Sequence, residues 1–466
     1  MTTLFEAFNN TATTENGCAA HHSTLDACLD FFYKAGASRG KDVSSDFVKA
    51  LAENKEVAIR TLLWMRDARE GAGERQQFKS LLEVLVGLQD KAVSDIIPLI
   101  PLLGRWDDLL VLVGTKFESE AFDLIAQALK DQNSLCAKWM PRQGKVANAL
   151  RKHMKIASPK DYRKLLVSLT NVVEQQMCAK QWDEINFESV PSVAAGRYQK
   201  AFSRNATEKY EEYKERLVKG EAKINAGAVY PYDVVKSVTY GDGIVASEQW
   251  KALPNYLEGC ADRILPVVDV SGSMSCAAGG NSSKSVVTCM DVAVSLGLYL
   301  SERNEGILKD VFMTFHSQPQ MMKTQGSLQE RVRQMRSAPW GMNTDIQAVF
   351  TTLLQVALQN QVPEDQMPTK ILIVSDMQFD SCMVNGNNAT AYQAFKHHYE
   401  ASGYKLPQIV FWNVNCQSGT VPVTKGTEGT ALVSGFSPSI MQSLLKGQLS
   451  PEQAMFDTVM KDRYKF

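Results

Sequence analysis

A short apolar strand followed at once by a polar loop is the feature that most constrains the fold of this chain. The two lie in the stretch Ile264-Leu-Pro-Val-Val-Asp-Val-Ser-Gly-Ser-Met-Ser275, where five of the first seven residues are apolar. Such a β-branched, apolar run is typical of a strand buried on both faces of a parallel sheet. Residues 284–303 then show apolar residues at helical spacing. The order strand, polar loop, helix predicts a ligand site at the carboxyl edge of an open α/β sheet.

The polar loop carries oxygen atoms that suit a hard divalent cation. Asp269, Ser271 and Ser273 alternate just after the strand. Farther along, Thr344 precedes a helical run and Asp376 ends a second strand of the buried type. Mg²⁺ prefers octahedral oxygen ligands with few formal charges, so three loops meeting at one sheet edge predict a magnesium site. The alternative is a Ser/Gly-rich turn that caps a helix, with Thr344 as an N-cap and Asp376 as a turn residue.

These five residues together resemble a known metal site. Asp269, Ser271, Ser273, Thr344 and Asp376 match all five positions of the metal-ion-dependent adhesion site of von Willebrand factor A domains. The resemblance implies a Rossmann-like domain that holds Mg²⁺ or Mn²⁺ on its upper edge. It also implies that the ion is open to an acidic residue of a protein partner.

The amino-terminal half has a helical pattern instead. Helix pairs with charged corners recur along roughly 200 residues, which predicts a HEAT-like α-helical repeat domain over residues 1–240. The first 22 residues are expected to form a loosely held arm that packs on another part of the protein. A connection over 241–262, with a short helix at 248–258, leads to the von Willebrand factor A domain at 263–466. Later strands of that domain, alternating with helices as in a doubly wound sheet, are expected at 311–315, 371–375, 408–412 and 431–433.

Two polar corners in the helical half, 66–75 and 104–108, place Arg and Asp residues beside glycine in an apolar neighbourhood. They are interpreted either as functional groups or as Arg–Asp pairs that fix one helix pair against the next. Pairing is favoured, because a buried Arg is usually paired.

Basic residues are concentrated in one segment of the helical half. The chain has a formal net charge of −1, yet residues 138–224 hold 18 Lys or Arg against 10 Asp or Glu, an excess of eight positive charges. Basic side chains follow a phosphate backbone, and aromatic side chains stack on unpaired bases. The interleaved aromatic residues are Trp139, Tyr162, Trp182, Tyr198 and Phe202. The alternative is a set of solvated helix faces with the aromatic residues in the core.

If this segment binds RNA, its exposed cations supply the phosphate contacts. The candidate RNA-binding residues are Lys138, Arg142, Lys145, Arg151, Lys152, Lys155, Arg163, Lys164, Arg197, Lys200 and Arg204.

The order of the two domains carries a second resemblance. A helical domain followed by an A domain is similar to the Ro autoantigen (TROVE) family, ring-shaped binders of non-coding RNA. A group of phage, bacterial and eukaryotic proteins that share a domain of unknown function is similar along most of the chain. The matching stretches are Leu63-Trp-Met-Arg-Asp-Ala-Arg-Glu-Gly-Ala-Gly-Glu-Arg75, Gly104-Arg-Trp-Asp-Asp108, Ala137-Lys-Trp-Met-Pro-Arg142, Cys178-Ala-Lys-Gln-Trp-Asp183 and Lys219-Gly-Glu-Ala-Lys-Ile-Asn225.

The sequence shows no familiar catalytic motif. It has no Gly-x-Ser-x-Gly elbow, no phosphate-binding P-loop and no His-Glu-x-x-His pair. Cys289 and His316 were weighed as nucleophile and base, but Cys289 falls on an expected helix, where a buried thiol is the default. We therefore expect a non-enzymatic RNA-binding protein with a Mg²⁺-dependent A domain. The alternative is a metal-dependent protein-interaction or scaffold module with no RNA role.

The cysteine pattern and the distribution of apolar residues indicate a cytoplasmic protein. Nine cysteines are scattered without a Cys-x-x-Cys pair, which is typical of reduced thiols in the cytoplasm. The first 17 residues lack the apolar core of a signal peptide. No apolar run approaches the roughly 18 residues of a transmembrane helix, so no membrane association is expected.

Overall fold

Helices build the amino-terminal half of the chain. The computed structural model describes residues 4–39, 41–240, 243–278, 287–339, 344–380, 391–416, 419–445 and 449–466. No described helix combines the length and the apolar character that crossing a bilayer demands. The helices of this half are α1 (Leu4–Phe8), α2 (Ala27–Ala35), α3 (Ser44–Glu53), α4 (Lys55–Arg66), α5 (Gln76–Gly87), α6 (Ala92–Ile96), α7 (Ile100–Leu103), α8 (Glu118–Lys130), α9 (Ser134–Trp139), α10 (Gly144–His153), α11 (Pro159–Leu169), α12 (Val173–Cys178), α13 (Ser192–Asn205), α14 (Thr207–Val218), α15 (Pro231–Tyr240) and α16 (Gly243–Lys251).

Local chemistry sets several of these helix boundaries. The side chain of Ser158 accepts a hydrogen bond from the backbone N–H of Asp161 at the start of α11, and Pro159 occupies the first helical position. Both choices stabilise a helix start, because the first turn has N–H groups without helical partners. The connecting helix predicted at 248–258 was misplaced: α16 covers Gly243–Lys251. It ends shortly before Pro254, which cannot continue a helix.

Residues 11–21 form a small hairpin that contacts the carboxyl-terminal half, so the predicted packing on another part of the protein is confirmed, whereas the predicted loose hold is wrong for this segment. Strand β1 (Thr11–Thr13) pairs antiparallel with β2 (Ala19–His21). Isolated bridges then join Gly17 to Asp380 and His21 to Val421 in the carboxyl-terminal half. We call residues 11–21 the N-terminal hairpin.

A six-stranded sheet organises the carboxyl-terminal half, and all five strands predicted for it are confirmed. The strand order is β5-β4-β3-β6-β7-β8, parallel except for β5, which runs antiparallel to β4. The short edge strand β5 was not predicted. The strands are β3 (Ile264–Val268), β4 (Val311–Thr314), β5 (Met321–Lys323), β6 (Lys370–Ser375), β7 (Gln408–Asn413) and β8 (Thr430–Ser434). The helices that accompany them are α17 (Cys289–Arg303), α18 (Leu328–Arg336), α19 (Ile346–Gln359), α20 (Ala391–Ala401), α21 (Met441–Leu444) and α22 (Pro451–Val459). The protein thus joins an α-helical half to an α/β half.

The two faces of the sheet bury different helices. One face packs against α19 and α20, and the other against α17 and α22 together with α2 and α4 of the amino-terminal half. The two halves therefore share one hydrophobic core. Gly36, just after α2, makes the close approach feasible, because an added Cβ would lie 2.4 Å from the carbonyl oxygen of Ser434.

The polar corners of the helical half are held by ion pairs, which confirms the pairing interpretation. Arg66 lies 2.7 Å from Asp108, and both side chains are almost fully buried. Arg75 also contacts Asp108, at 3.1 Å. From the same corner, Asp67 binds Arg463 near the carboxyl terminus at 2.5 Å. These charges have a structural role within the helical half and against the end of the chain.

Candidate functional site

The sheet changes winding direction between β3 and β6. The chain leaves β3 to form β4 on one side, and β6 lies on the other side of β3. Val268 and Val374 are paired near the carboxyl ends of these two strands, and the backbone N–H of Asp269 donates to the carbonyl of Val374 at 3.0 Å. Ligands of open α/β sheets bind in the crevice outside such a switch point. Asp269 and Asp376 follow the two strands at this place.

The loop after β3 folds its polar groups back on one another. Asp269 is fully buried. One carboxylate oxygen accepts from the backbone N–H of Ser271 at 2.8 Å, and the other accepts from the hydroxyl of Ser375 at 2.5 Å. The hydroxyls of Ser271 and Ser273 lie 3.0 Å apart. The three predicted residues of this loop are therefore brought together.

Asp376 joins this group directly. Its carboxylate is hydrogen-bonded to the side chain of Ser273 and accepts from the backbone N–H of Gln378. Burial, followed by the neighbouring charge of Asp376, raises the pKa of Asp269 to about 6. The pKa of Asp376 is raised as well, chiefly by burial. Among the described residues neither carboxylate takes part in a salt bridge, so the structure concentrates two negative charges in a buried place.

Thr344 reaches the site through the loop after Asp376 rather than through Asp376 itself. Its hydroxyl donates to the carbonyl of Gln378 and its backbone N–H donates to Asp380, both at 2.7 Å. Thr344 is not the N-cap of α19, because the side chain of Asp345 accepts from Ala348 in that role. Nor does the Ser/Gly turn cap the following helix, since the side chain of Thr288 caps α17. The helix-capping alternative is therefore wrong for both segments. We call Asp269, Ser271, Ser273, Thr344 and Asp376 the sheet-edge site.

The N-terminal hairpin braces the same loop from its other side. The hydroxyl of Thr14 donates to the carbonyl of Phe379 at 2.6 Å. The side-chain amide of Asn16 donates to the carbonyl of Gln378 at 2.8 Å, and the backbone N–H of Glu15 donates to the side chain of Gln378. The carbonyl of Gln378 thus accepts from both the hairpin and Thr344.

Sequence reasoning missed the residues that support the site. Ser375 had a weak signal, because a hydroxyl directly precedes the aspartate at the end of a buried strand. Asp380 and Thr14 had none, since their contacts span 36 and 365 positions of the chain. A single sequence gives no measure of such distant contacts.

Phe379, Cys382 and Met383 are apolar residues in the loop after Asp376, and this pattern is compatible either with recognition of a partner or with an ordinary long loop. Phe379 is buried against the rings of Phe315 and Phe411, with centroids 5.7 and 6.2 Å away. It therefore belongs to the core and is not displayed to a partner. Cys382 and Met383 lie outside the described residues.

The donor set of the sheet-edge site fits a hard divalent cation. It consists of two carboxylates and three hydroxyls, and Mg²⁺ and Mn²⁺ prefer oxygen ligands of this kind. The two carboxylates raise the free energy of one another's ionised form, and a cation between them would lower it. The residues present thus match the chemistry that the resemblance implies.

A second group of potential ligands does not share these properties. Asp26, Cys28 and Glu53 lie close together near the start of α2. Burial raises the pKa of the Cys28 thiol to about 12, and its sulfur lies 3.5 Å from the carbonyl of Ala50. Asp26 caps α2 by accepting from Leu29. The carboxylate of Glu53 accepts from the backbone N–H of Ala27, so the contacts of this cluster are those of helix capping and packing.

Cys289 and His316 make contacts that do not match a nucleophile and its base. The sulfur of Cys289 lies 3.5 Å from that of Cys276 and 3.6 Å from the carbonyl of Val414. Burial raises the pKa of the Cys289 thiol far above its ordinary value. The ring nitrogen Nδ1 of His316 accepts from the backbone of Gln318. The buried thiol agrees with the packing role expected for a cysteine on a helix.

The predicted RNA-binding residues fall into two groups. Lys138 forms a salt bridge with Glu174 at 2.9 Å, and the guanidinium of Arg151 donates to the carbonyls of Ile156 and Ala157. The other nine are exposed, and none forms a salt bridge within the described ranges. We call these nine the basic helical surface: Arg142, Lys145, Lys152, Lys155, Arg163, Lys164, Arg197, Lys200 and Arg204.

Two of the five interleaved aromatic residues belong to the core. Tyr162 and Phe202 are each 1% exposed, too deep for a base to stack on them. The hydroxyl of the half-buried Tyr198 donates to Glu174. Trp139 is half-buried under the guanidinium of Arg105, 3.2 Å from the ring centroid, and Trp182 is also half-buried. The core alternative thus holds for Tyr162 and Phe202.

Comparisons with other proteins give two domains and one relative. Residues 124–261 match the domain of unknown function DUF2828, and residues 263–465 match the domain of unknown function DUF7788. An uncharacterized protein of Acanthamoeba polyphaga mimivirus is 30% identical over 504 residues, covering 94% of this chain and 85% of the viral protein.

Proposed function

The chain belongs to the same family as this mimivirus protein, and we propose that it is a non-enzymatic binding protein that uses a divalent cation to hold an acidic partner. The sheet-edge site supports this proposal best. Two buried carboxylates, Asp269 and Asp376, meet the hydroxyls of Ser271 and Ser273 at the switch point of the sheet, and Thr344 contacts the loop that follows Asp376. In finer terms, we propose that the α/β half is a von Willebrand factor A domain and that the helical half has HEAT-like repeats.

The residues of the sheet-edge site have separate roles in this proposal. Bound Mg²⁺ or Mn²⁺ would supply a positive charge that attracts a carboxylate of the partner. Ser271 and Ser273 would hold the ion directly, because their hydroxyls lie side by side 3.0 Å apart. Asp269 and Asp376 would contribute the negative charge that retains it. The bonds of Thr344 to Gln378 and Asp380 keep its hydroxyl at the rim of the site.

Metal titration of the purified full chain tests this function. We expect one Mn²⁺ site by isothermal titration calorimetry, and we expect Asp269→Asn to lose it. Asp365→Asn is the matched control, since Asp365 is an exposed carboxylate of the same half. Equal Mn²⁺ affinity of Asp269→Asn and the wild type would refute the proposal.

A partner test addresses the acidic ligand. Proteins captured from a lysate by the immobilised chain should be released by a chelator and absent with Asp269→Asn. Free acetate at high concentration should compete, because it carries the same carboxylate chemistry. Capture that is indifferent to chelator, acetate and substitution would contradict a metal-dependent partner.

The second candidate function is RNA binding by the helical half. It is favoured by the nine exposed cations of the basic helical surface, which form no salt bridge within the described ranges. Such cations release counterions when they contact phosphates, so affinity should fall steeply with salt. The similarity in domain order to the Ro autoantigen family supports the same reading. The two functions are compatible, one in each half of the chain.

Crosslinking tests the RNA candidate. We expect RNA to crosslink to the wild type in cells, and sequencing would identify it. The triple variant Lys152→Glu, Lys155→Glu and Lys164→Glu should lose most of the signal. Lys49→Glu, Lys91→Glu and Lys130→Glu change the charge equally at exposed sites outside the basic helical surface. Equal loss in both triple variants, or no RNA at all, would count against this candidate.

We propose a reducing, cytoplasmic setting, on the ground that nine cysteines are scattered along the sequence without a Cys-x-x-Cys pair.

A further inference from the structure

A large cleft opens between the last helices of the amino-terminal half. Its volume is about 490 Å³, within the range of roughly 300–1,000 Å³ typical of small-molecule sites. One wall is α13, and the opposite side is formed by α15 with Gln249 of α16. The cleft lies in a different half of the chain from the sheet-edge site and shares no residue with it.

Positive charge dominates the lining of this cleft. Arg197 and Lys200 lie one turn apart on α13, and Lys236 lies on α15. Asp233 is the one acidic residue among the lining residues. It is half-buried, its carboxylate accepts from the backbone N–H of Tyr230, and it interacts electrostatically with Arg39 as well as with Lys236 and Arg197 of the lining. The lining therefore has a net charge of about +2 at neutral pH, which suits a dianionic group.

Neutral hydrogen-bonding groups and two apolar side chains complete the lining. The amide of Gln249 is buried and is fixed by donation to the carbonyl of Ser192 at 2.9 Å. The amide of Gln199 donates to the hydroxyl of Ser237 at 3.2 Å. Small-molecule sites typically combine a few fixed polar groups with apolar wall area. Val193 and Val229 supply apolar area beside these amides.

A glycine on α13 keeps the cleft open. Gly196 lies on the wall, and the nearest neighbour that an added Cβ would meet is the side-chain oxygen of Gln249 at 3.9 Å. The position thus tolerates a Cβ, while a longer side chain would project into the cleft. A glycine inside a helix lowers the stability of the helix by roughly 0.5–1 kcal/mol relative to alanine. Gly196 therefore weakens α13 slightly and leaves the space beside it free of a side chain.

We propose that this cleft binds a phosphate monoester of nucleotide size. Arg197, Lys200 and Lys236 would take the phosphate, because guanidinium and ammonium groups form charge-assisted hydrogen bonds with its oxygens. The side chains of Gln199 and Gln249 lie where they can meet the polar edge of the attached group. Free nucleotide and the phosphorylated end of an RNA strand carry the same chemistry. The RNA-end form rests on the second candidate function, whereas the free-nucleotide form does not.

Calorimetry with adenosine 5′-monophosphate as the probe tests the cleft. We expect the full chain to bind it at least tenfold more tightly than adenosine, which lacks the phosphate. Arg197→Gln with Lys200→Gln should weaken binding at least tenfold, because both cations are removed. Gly196→Leu should do the same without changing any charge. Lys49→Gln with Lys130→Gln, two exposed lysines on α3 and α8, is the control and should bind as the wild type does.

The outcomes separate this proposal from the RNA function. Equal affinity for adenosine and its monophosphate would refute the proposal that the cleft binds a phosphate monoester. Wild-type affinity in the Arg197/Lys200 variant would refute it as well. If Gly196→Leu fails to fold, the charge variant alone decides, since its positions are exposed on the helix. A 5′-phosphorylated single-stranded RNA should outcompete its 5′-hydroxyl form if the ligand is an RNA end. A third outcome is that the protein binds RNA equally well with and without the 5′-phosphate and does not bind adenosine 5′-monophosphate. That outcome would refute phosphate binding in the cleft and would leave the RNA-binding function intact.

Discussion

The sheet-edge site and the basic helical surface are built in opposite ways. In the sheet-edge site, Asp269 and Asp376 are 0% and 3% exposed, and loops from three parts of the chain hold them. In the basic helical surface, residues such as Lys152 and Lys164 are exposed on single helices and form no salt bridge within the described ranges. The first arrangement holds its carboxylates by hydrogen bonds, whereas the second displays charge at exposed positions without salt bridges within the described ranges.

This difference determines what each region can recognise. Buried oxygens at set positions discriminate between ligands by geometry, as a metal site must. Exposed, flexible cations bind by charge and counterion release, which depends on salt and little on ligand shape. The comparison therefore predicts that the sheet-edge site is sensitive to single substitutions and that the basic helical surface is not.

The largest effect is expected on stability, from a substitution of Phe202. One interpretation of the basic segment places this ring in the core, and the other has it stack on an RNA base. Phe202 packs against Phe187 and Tyr210 with ring centroids 5.1 and 5.5 Å away. We expect Phe202→Ala to reduce the free energy of unfolding by about 3–5 kcal/mol, because it leaves a cavity in the core. Chemical denaturation measures this change. A stacking role would instead give normal stability and an RNA affinity weakened by about 1–3 kcal/mol.

The next effect concerns the sheet-edge site. At 100 times its dissociation constant, Mn²⁺ should stabilise the wild type by about 2.7 kcal/mol, because it binds the folded state alone. Asp376→Asn should abolish this increment while the metal-free protein stays folded, since the substitution removes one of two neighbouring buried charges. Denaturation with and without Mn²⁺ measures both quantities. An undiminished increment in Asp376→Asn would show that the ion binds elsewhere.

A smaller effect is expected where the N-terminal hairpin braces the site. The hydroxyl of Thr14 accepts from Cys18 and donates to Phe379, at 2.9 and 2.6 Å. Thr14→Val should cost about 1–3 kcal/mol of stability, because it leaves buried polar groups without partners. It should also weaken Mn²⁺ binding several-fold through the loop after Asp376.

The matched control for that experiment is Thr13→Val at the neighbouring position, the last residue of β1, where the side chain is exposed. It should leave both stability and Mn²⁺ affinity near wild type. If Thr14→Val lowers stability and leaves the affinity unchanged, the hairpin supports the fold and does not position the site.

The smallest effect is expected from a single residue of the basic helical surface. Lys152→Ala should weaken RNA binding about equally for all sequences and reduce the slope of log affinity against log salt by about 1. Fluorescence anisotropy over a salt series measures the slope. An effect on one RNA sequence alone would mean that Lys152 reads bases, and the contrast between the two regions would weaken.

Sequence patterns determined the sheet and the chemistry of its edge. All five predicted strands lie within a residue of their observed ends or inside them, because buried parallel strands are continuous apolar runs that stand out from their flanks. The alternation of strand and helix predicted the doubly wound order. It also predicted that the loops carrying Asp269 and Asp376 meet at one edge of the sheet. The pairing of Arg66 with Asp108 followed from the cost of burying an unpaired cation.

Only the tertiary structure decided how these parts meet. The hairpin of residues 11–21 lies on the loop after Asp376, a contact between segments more than 350 residues apart, and α2 and α4 share the core of the sheet. It also decided that Tyr162 and Phe202 face inward and that the cleft beside α13 stays open. Local sequence records propensity and polarity over a few residues. Contacts between distant segments depend on how whole faces pack, and no short pattern encodes that.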